Sequence, residues 1–217
     1  MTKSERIKGF YDVLYKRYGP QGWWPADTEL ECILGAILTQ NTSWKNVEKA
    51  LGNLKKEGLI SVEKLAWIPI EVLSELIRPS GYFNQKATKI KNFIKFIMEN
   101  YDGDFQKMLK EDTRALREKL LSIRGIGPET ADSILLYAAR KPAFAVDAYT
   151  YRILSRHGLI PEGTTYEEIR EVFMDSLPKD VELFNEYHAL LVRLGKEQCK
   201  KSPICEGCPL KYDPHTI

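Results

Sequence analysis

Three cysteines crowd the last twenty residues of the chain, at positions 199, 205 and 208. A fourth, Cys32, stands alone in a helix-patterned stretch. Two disulfides from this set are unusual in a reducing compartment, whereas clustered thiols are typical ligands of a metal ion or cluster. The spacing therefore indicates a metal or cluster site near the carboxy terminus and a core position for Cys32.

A glycine-rich turn could bind an anion without any basic side chain. Residues 116–140 predict two helices joined by Gly125-Ile126-Gly127-Pro128. Glycine lets another backbone come close, and proline suits the first turn of the second helix. Free amides at such a turn and helix start attract a phosphate. The same residues would equally make an ordinary tight turn, so both interpretations stand at this point.

One carboxylate and several tryptophans offer two more kinds of chemistry. Asp147 follows an apolar run and precedes a predicted helix, where it would either cap that helix or supply a fixed negative charge. Three of the four tryptophans, Trp23, Trp24 and Trp44, lie between residues 23 and 44. Their electron-rich faces attract cations, although paired tryptophans near a terminus also anchor it to the core.

Helices must position these residues, because the apolar spacing is helical almost throughout. The pairs Thr28–Glu31 and Thr165–Glu168 each predict a capping box at a helix start. The strand-like run 144–146 is too short to build a sheet. We therefore expect an all-α protein, whose main apolar stripes are Leu30-Ile33-Leu34-Ile37-Leu38, Val47-Ala50-Leu51-Leu54, Ala87-Ile90-Ile94-Ile97 and Leu183-Tyr187-Leu190-Leu191-Leu194.

The step from Lys141 to Pro142 divides the chain into two predicted domains. The first is a helical bundle over residues 28–141 that contains the hairpin at about 116–140. The second combines residues 1–27 with 142–217 and carries the cysteine-rich loop 199–215. We expect a cleft between the two lobes, which is a common place for a ligand site.

The composition is typical of a globular protein and gives no sign of a membrane-spanning one. The 217 residues are 43% apolar and 29% charged, which is ordinary for a globular chain. No apolar run reaches the roughly 20 residues of a membrane-spanning helix, and the first residues have no signal-peptide core. We expect a cytoplasmic monomer. The net charge of +2 means that any contact with a nucleic acid depends on local patches.

Five segments, in order along the chain, resemble the endonuclease III superfamily of helix-hairpin-helix DNA glycosylases. They are the glutamine-bearing loop 38–42, the Gly-aromatic-Asn-x-Lys-Ala segment 81–87, the hairpin, the Val146-Asp147 step and the cysteine cluster. The resemblance spans nearly the whole chain. It implies a two-lobed all-α fold with an interlobe cleft, which acts on double-stranded DNA that contains a damaged base.

The resemblance also implies roles for individual residues. Gly125, Gly127 and Thr130 would contact the DNA backbone, and Asp147 would be catalytic. Gln40 would fill the gap left by a flipped nucleotide, while a plain polar residue at a helix end remains the alternative. Bifunctional members carry a nucleophilic lysine after the hairpin, and Glu129 stands there in this chain. Because a carboxylate forms no Schiff base, we expect a monofunctional glycosylase with little or no AP lyase activity.

The Trp-Trp-Pro and Gln-Asn-Thr segments, with residues 78–86, resemble the 3-methyladenine DNA glycosylase III branch. The resemblance implies an aromatic pocket for alkylated purines such as 3-methyladenine, which carry positive charge. Two alternatives stay open: an endonuclease III-like glycosylase for oxidised or mismatched bases, and a non-catalytic protein that binds DNA structure. The residues of the expected pocket are Trp23, Trp24, Pro25, Trp44 and, as a secondary candidate, Lys196.

The cysteine loop departs from the family pattern at its last position. Family members carry a fourth cysteine about six residues after the third, but Pro214 stands there and His215 follows. The metal ligands would be Cys199, Cys205 and Cys208, with His215 or an open position as the fourth. The retained spacing favours a [4Fe-4S] cluster, while zinc with Cys₃His ligation and a loop without metal remain alternatives.

Overall fold

The computed structural model describes residues 1–24 and 26–216, and it is helical throughout, with no strand in those two ranges. The predicted all-α class is confirmed. The helices are α1 (Lys3–Tyr18), α2 (Glu29–Leu38), α3 (Trp44–Lys56), α4 (Val62–Trp67), α5 (Ile70–Leu76), a 3₁₀ turn (Arg78–Ser80), α6 (Phe83–Tyr101), α7 (Phe105–Leu109), α8 (Thr113–Ser122), α9 (Pro128–Ser133), a π-helical turn (Ile134–Ala138), α10 (Ala148–Arg156), α11 (Tyr166–Ser176) and α12 (Val181–Glu197).

The chain divides into two compact units. A terminal unit consists of Met1–Trp23 and Pro142–Ile217, and a central unit consists of Trp24–Lys141. None of the described helices has the length and apolarity needed to cross a membrane. The cleft expected between two lobes stays a prediction.

The central unit is built around α2, which is buried on all sides. Every residue from Leu30 to Leu38 is buried, so the predicted single apolar face underestimates how deeply this helix lies. It packs against α3, α6, α9 and the π-helical turn. Cys32 belongs to this core, and burial raises the pKa of its thiol.

The start of α2 differs from the predicted capping box. The Thr28 hydroxyl accepts a hydrogen bond from the Glu31 amide, but the reciprocal bond from the Thr28 amide to Glu31 does not form. Glu31 instead accepts from the Asp27 amide at 2.9 Å and pairs with Lys55 Nζ at 2.6 Å. An ion pair thus draws the Glu31 carboxylate away from the helix cap.

The terminal unit packs α1 against α11 and α12, and α10 against α12. Both halves of the predicted capping box at Thr165 and Glu168 form at the start of α11. Phe144, from the short apolar run, stacks on Phe173 with the ring centroids 3.8 Å apart. The run therefore supplies core packing rather than a strand, and it delivers the chain to Asp147 at the start of α10.

Candidate active site

Asp147 caps α10 through one carboxylate oxygen. Its Oδ1 accepts hydrogen bonds from the Thr150 amide at 2.8 Å and from the Thr150 hydroxyl at 2.9 Å. The side chain is 15% exposed, so it lies at a surface without being fully solvated. The residue that caps the helix therefore also presents a carboxylate, which is anchored through Oδ1.

His188 faces the second oxygen of this carboxylate. Its Nε2 lies 3.7 Å from Asp147 Oδ2, and its side chain is only 7% exposed. Burial lowers the pKa of His188; the nearby Asp147 charge raises it and Lys196 lowers it further. Sequence reasoning missed His188, because a single histidine on the apolar face of α12 gives no signal of its own.

Trp23 and Lys196 lie in the same unit as this pair. Lys196 Nζ is 5.5 Å from the centroid of the Trp23 ring, and that ring meets His188 edge-on at 6.4 Å. In the described chain, the buried indole N–H of Trp23 has no hydrogen-bond partner. The terminal unit thus brings Asp147, Trp23 and Lys196 together around His188.

Trp24 and Trp44 belong to the central unit, where Tyr137 joins them. The Trp24 ring stacks on Tyr137 with centroids 4.4 Å apart and planes 12° apart, and it lies 5.0 Å from the Trp44 ring. Trp44 Nε1 donates to Glu48 at 3.1 Å. Tyr137 sits in the π-helical turn after α9, which no sequence pattern predicted. The shared pocket for Trp23, Trp24 and Trp44 stays a prediction, and Pro25 lies outside the described residues.

A cavity opens beside the Trp24–Tyr137 stack. It measures about 510 Å³, counted out to solvent, and carboxylates line it together with the aromatic rings. The Trp24 backbone adopts a left-handed conformation, with φ of 69°, which few non-glycine residues tolerate. The lining residues are Trp24, Ala26, Asp27, Thr28, Glu29, Cys32 and Tyr137.

The hairpin between α8 and α9 has the predicted form, with Gly127 before the helix and Pro128 in its first turn. Gly125 has a φ of 102°, and a Cβ added there would lie 2.5 Å from Lys89 Cγ. A Cβ added to Gly127 meets nothing within 4 Å. Across residues 1–24 and 26–216, neither glycine amide donates to a backbone carbonyl outside the helices; Gly127 is exposed and Gly125 is half-buried.

Gln40 lies just past the end of α2 and is held against the hairpin. Its Nε2 donates to Thr130 Oγ1 at 3.1 Å and approaches the Gly125 carbonyl at 3.5 Å. Lys89 Nζ donates to Gln40 Oε1. The structure therefore joins three of the four predicted DNA-binding residues in one hydrogen-bonded group, and it adds Lys89, which the sequence did not single out.

The carboxy-terminal cysteines and His215 line one cavity of about 380 Å³, counted out to solvent. Arg156 Nη1 donates to Cys199 Sγ at 3.2 Å. His215 Nδ1 lies 2.8 Å from the Asp213 carbonyl; because a carbonyl only accepts, Nδ1 carries the hydrogen and the neutral ring keeps its lone pair on Nε2. Among the described residues, no three ligand groups converge where a single metal ion could sit.

Known proteins resemble the chain over nearly its whole length. The family model described as HhH-GPD superfamily base excision DNA repair protein matches residues 34–179. A Methanocaldococcus jannaschii protein, named as a candidate DNA repair glycosylase, is 53% identical over 97% of this chain and 96% of its own. Endonuclease III of Thermotoga maritima is 34% identical over 82% of this chain and 79% of its own.

Solved structures of DNA glycosylases have the same fold as this chain. The Helicobacter pylori 3-methyladenine DNA glycosylase, bound to 1,N6-ethenoadenine, superposes with a TM-score of 0.78 at 30% identity. The match covers 91% of this chain and 98% of that structure. A non-covalent endonuclease III–DNA complex superposes with a TM-score of 0.84 at 24% identity, covering 99% and 96% of the two chains.

Proposed function

The chain belongs to the HhH-GPD superfamily of base excision DNA repair proteins, and we propose that it is a monofunctional glycosylase for alkylated purines such as 3-methyladenine. Family membership itself makes the chain a DNA glycosylase that binds DNA. The finer proposal concerns the substrate base and the absence of strand cleavage, and each part depends on particular residues.

The observation that carries the substrate proposal is the stack of Trp24 on Tyr137 beside a cavity that Asp27 and Glu29 also line. A purine alkylated at a ring nitrogen is a cation. Aromatic faces attract it by about 0.5–2 kcal/mol per contact, and the Glu29 carboxylate adds to the attraction, whereas the Asp27 carboxylate is already paired with Lys55 at 2.7 Å. A neutral damaged base stacks on the same rings but lacks this charge-dependent attraction. The pocket chemistry therefore favours alkylated over oxidised bases.

The proposed chemistry centres on Asp147. As the N-glycosidic bond breaks, positive charge builds on the sugar, and a preorganised carboxylate stabilises that charge. The two hydrogen bonds from Thr150 hold Asp147 Oδ1, so this oxygen keeps its place during the reaction. An alkylated base already leaves readily, and no strong general acid is needed. Glu129 is exposed in the first turn of α9 and offers no amine, which supports release of the base without strand cleavage.

The DNA backbone would bind at the hairpin. The amides of Gly125 and Gly127 would donate to a phosphate, and Pro128 starts a helix whose positive end favours the same anion. Gln40 would leave Thr130 and Lys89 to fill the space of a flipped nucleotide. We also propose that the protein acts on DNA as a monomer.

We also propose that the cysteine loop holds an iron–sulfur cluster. The donor set fits such a cluster, because three thiols and His215 line one cavity, and Arg156 donates a hydrogen bond to the Cys199 sulfur. When bound, the cluster would cross-link the loop. Purified protein should contain iron and sulfide and absorb near 400 nm, whereas colourless protein with bound zinc contradicts this assignment.

Replacement of Asp147 tests the catalytic assignment. Asp147→Asn keeps a capping oxygen for the Thr150 amide but removes the charge, so we expect at least about a hundredfold loss of base release with DNA binding retained. The matched control is Asp180→Asn, since Asp180 caps α12 by the same 2.8 Å hydrogen bond to Leu183. A non-catalytic DNA-binding protein predicts instead that both variants behave like the wild type.

A further inference from the structure

The two oxygens of the Asp147 carboxylate have unequal surroundings. Thr150 supplies two hydrogen bonds to Oδ1, at 2.8 and 2.9 Å. Oδ2 faces His188 Nε2 at 3.7 Å, just beyond hydrogen-bond distance. Rotation about the bond to a carboxylate is broad, so bonds to one oxygen alone leave the plane of the group loosely fixed. A donor to the second oxygen would fix it.

His188 itself is rigidly placed. Its ring lies edge-on to Phe144 at 6.5 Å and to Trp23 at 6.4 Å, and only 7% of its side chain is exposed. Burial among these rings favours the neutral imidazole, in which one nitrogen donates and the other accepts. The charge of Asp147 raises its pKa and the charge of Lys196 lowers it.

The distance between the two side chains is set by how closely α10 approaches α12. Tyr149, in the first turn of α10, packs directly on Gly195 of α12. A Cβ at Gly195 would lie 2.7 Å from both Cβ and Cγ of Tyr149, so any other residue there would force the helices apart. The glycine therefore brings His188 and Asp147 near each other through the backbone.

We propose that His188 is a positioning residue for catalysis: its Nε2–H donates to Asp147 Oδ2 and fixes the plane of the carboxylate toward the sugar. The inference rests on the proposed role of Asp147. Closing the 3.7 Å separation by less than 1 Å completes the bond. An oxygen that accepts from His188 keeps a second lone pair, which remains available to the substrate or to the attacking water.

Two substitutions in the full-length protein test this role. His188→Phe keeps the ring volume but removes the donor, and we expect the single-turnover rate of base release to fall about tenfold to a hundredfold. His188→Gln places an amide N–H near the same point and should recover most of that loss. Both variants should bind duplex DNA containing an abasic-site analogue within twofold of the wild type, because the donor acts on the carboxylate and not on the DNA.

A spectroscopic readout separates this inference from the proposed substrate. Nitrogen-15 NMR of the histidine rings, assigned with the His188→Gln variant, should show His188 neutral with its hydrogen on Nε2. A hydrogen on Nδ1 overturns the proposal, as does a His188→Phe variant with the wild-type rate or a Gln variant no better than Phe. If the wild type releases no alkylated base, the proposed substrate fails, and the ring tautomer still decides the role of His188.

Discussion

The two glycines of the hairpin should respond to the same substitution in opposite ways. In Gly125→Ala, the backbone keeps a φ of 102° that disfavours a side chain, and the new methyl lies 2.5 Å from Lys89 Cγ. A left-handed residue costs about 1–2 kcal/mol, and overpacking costs about 1–3 kcal/mol. The free energy of unfolding should therefore fall by about 2–5 kcal/mol.

Gly127→Ala meets neither obstacle. The φ of Gly127 is −94°, and its methyl would point into open space. Replacing glycine at an unstrained position stabilises a protein by about 0.4–1 kcal/mol, because the unfolded chain loses freedom. The same methyl would stand where a phosphate must approach the amide, at a cost of about 1–3 kcal/mol, or roughly a fivefold to 150-fold weaker affinity for DNA.

Thermal unfolding and fluorescence anisotropy with a duplex containing an abasic-site analogue measure the two effects. For a chain of this size, the melting temperature of Gly125→Ala should fall by about 4–20 °C, whereas that of Gly127→Ala should hold or rise slightly. The Gly127→Ala variant should nevertheless bind DNA less tightly. Wild-type DNA affinity in Gly127→Ala, or wild-type stability in Gly125→Ala, would refute the reasoning about this turn.

Three further predictions concern stability and chemistry. Burial lowers the pKa of Lys86 to about 8, so between that pH and about 10.5 the unfolded chain binds more protons than the folded chain. The free energy of unfolding, measured in urea, should therefore rise with pH in this range by up to about 1.4 kcal/mol per pH unit more than in Lys86→Met. Equal pH slopes for the two proteins contradict this prediction. The Asp213 side chain is fully buried between Arg6, at 2.5 Å, and His157, at 2.8 Å. Asp213→Asn should therefore lower the free energy of unfolding, measured by calorimetry, by about 3–5 kcal/mol. An unchanged melting temperature argues against this prediction. Because Glu129 forms no Schiff base, borohydride added during turnover should trap no protein–DNA adduct, whereas a covalent band on a denaturing gel contradicts monofunctional chemistry.

Local patterns in the sequence predicted the helices well, because apolar spacing and capping residues act within one or two turns. The cap of α11 forms in full at Thr165 and Glu168. At the start of α2 the same pattern forms only half, because Lys55, far along the chain, pairs with Glu31. This ion pair forms only when tertiary packing brings α3 beside the start of α2, so the sequence around Thr28 alone cannot predict it.

In the candidate site, too, the sequence predicted the residues with local patterns and missed those that depend on tertiary packing. The sequence singled out Asp147, Gly125 and Gly127, since glycine turns and helix caps have local signatures. It missed His188 and Tyr137, which are unremarkable residues on apolar helices until packing brings them to Asp147 and Trp24. Tyr137 also depends on a π-helical turn, whose register has no simple spacing rule.

The most direct test of the proposed function is base release from duplex DNA treated with a methylating agent, with strand scission scored separately. The proposal predicts free 3-methyladenine and intact strands that break only after alkali, with release lost in Asp147→Asn. Strand breaks without alkali, or release of oxidised bases as efficient as that of alkylated purines, would contradict it.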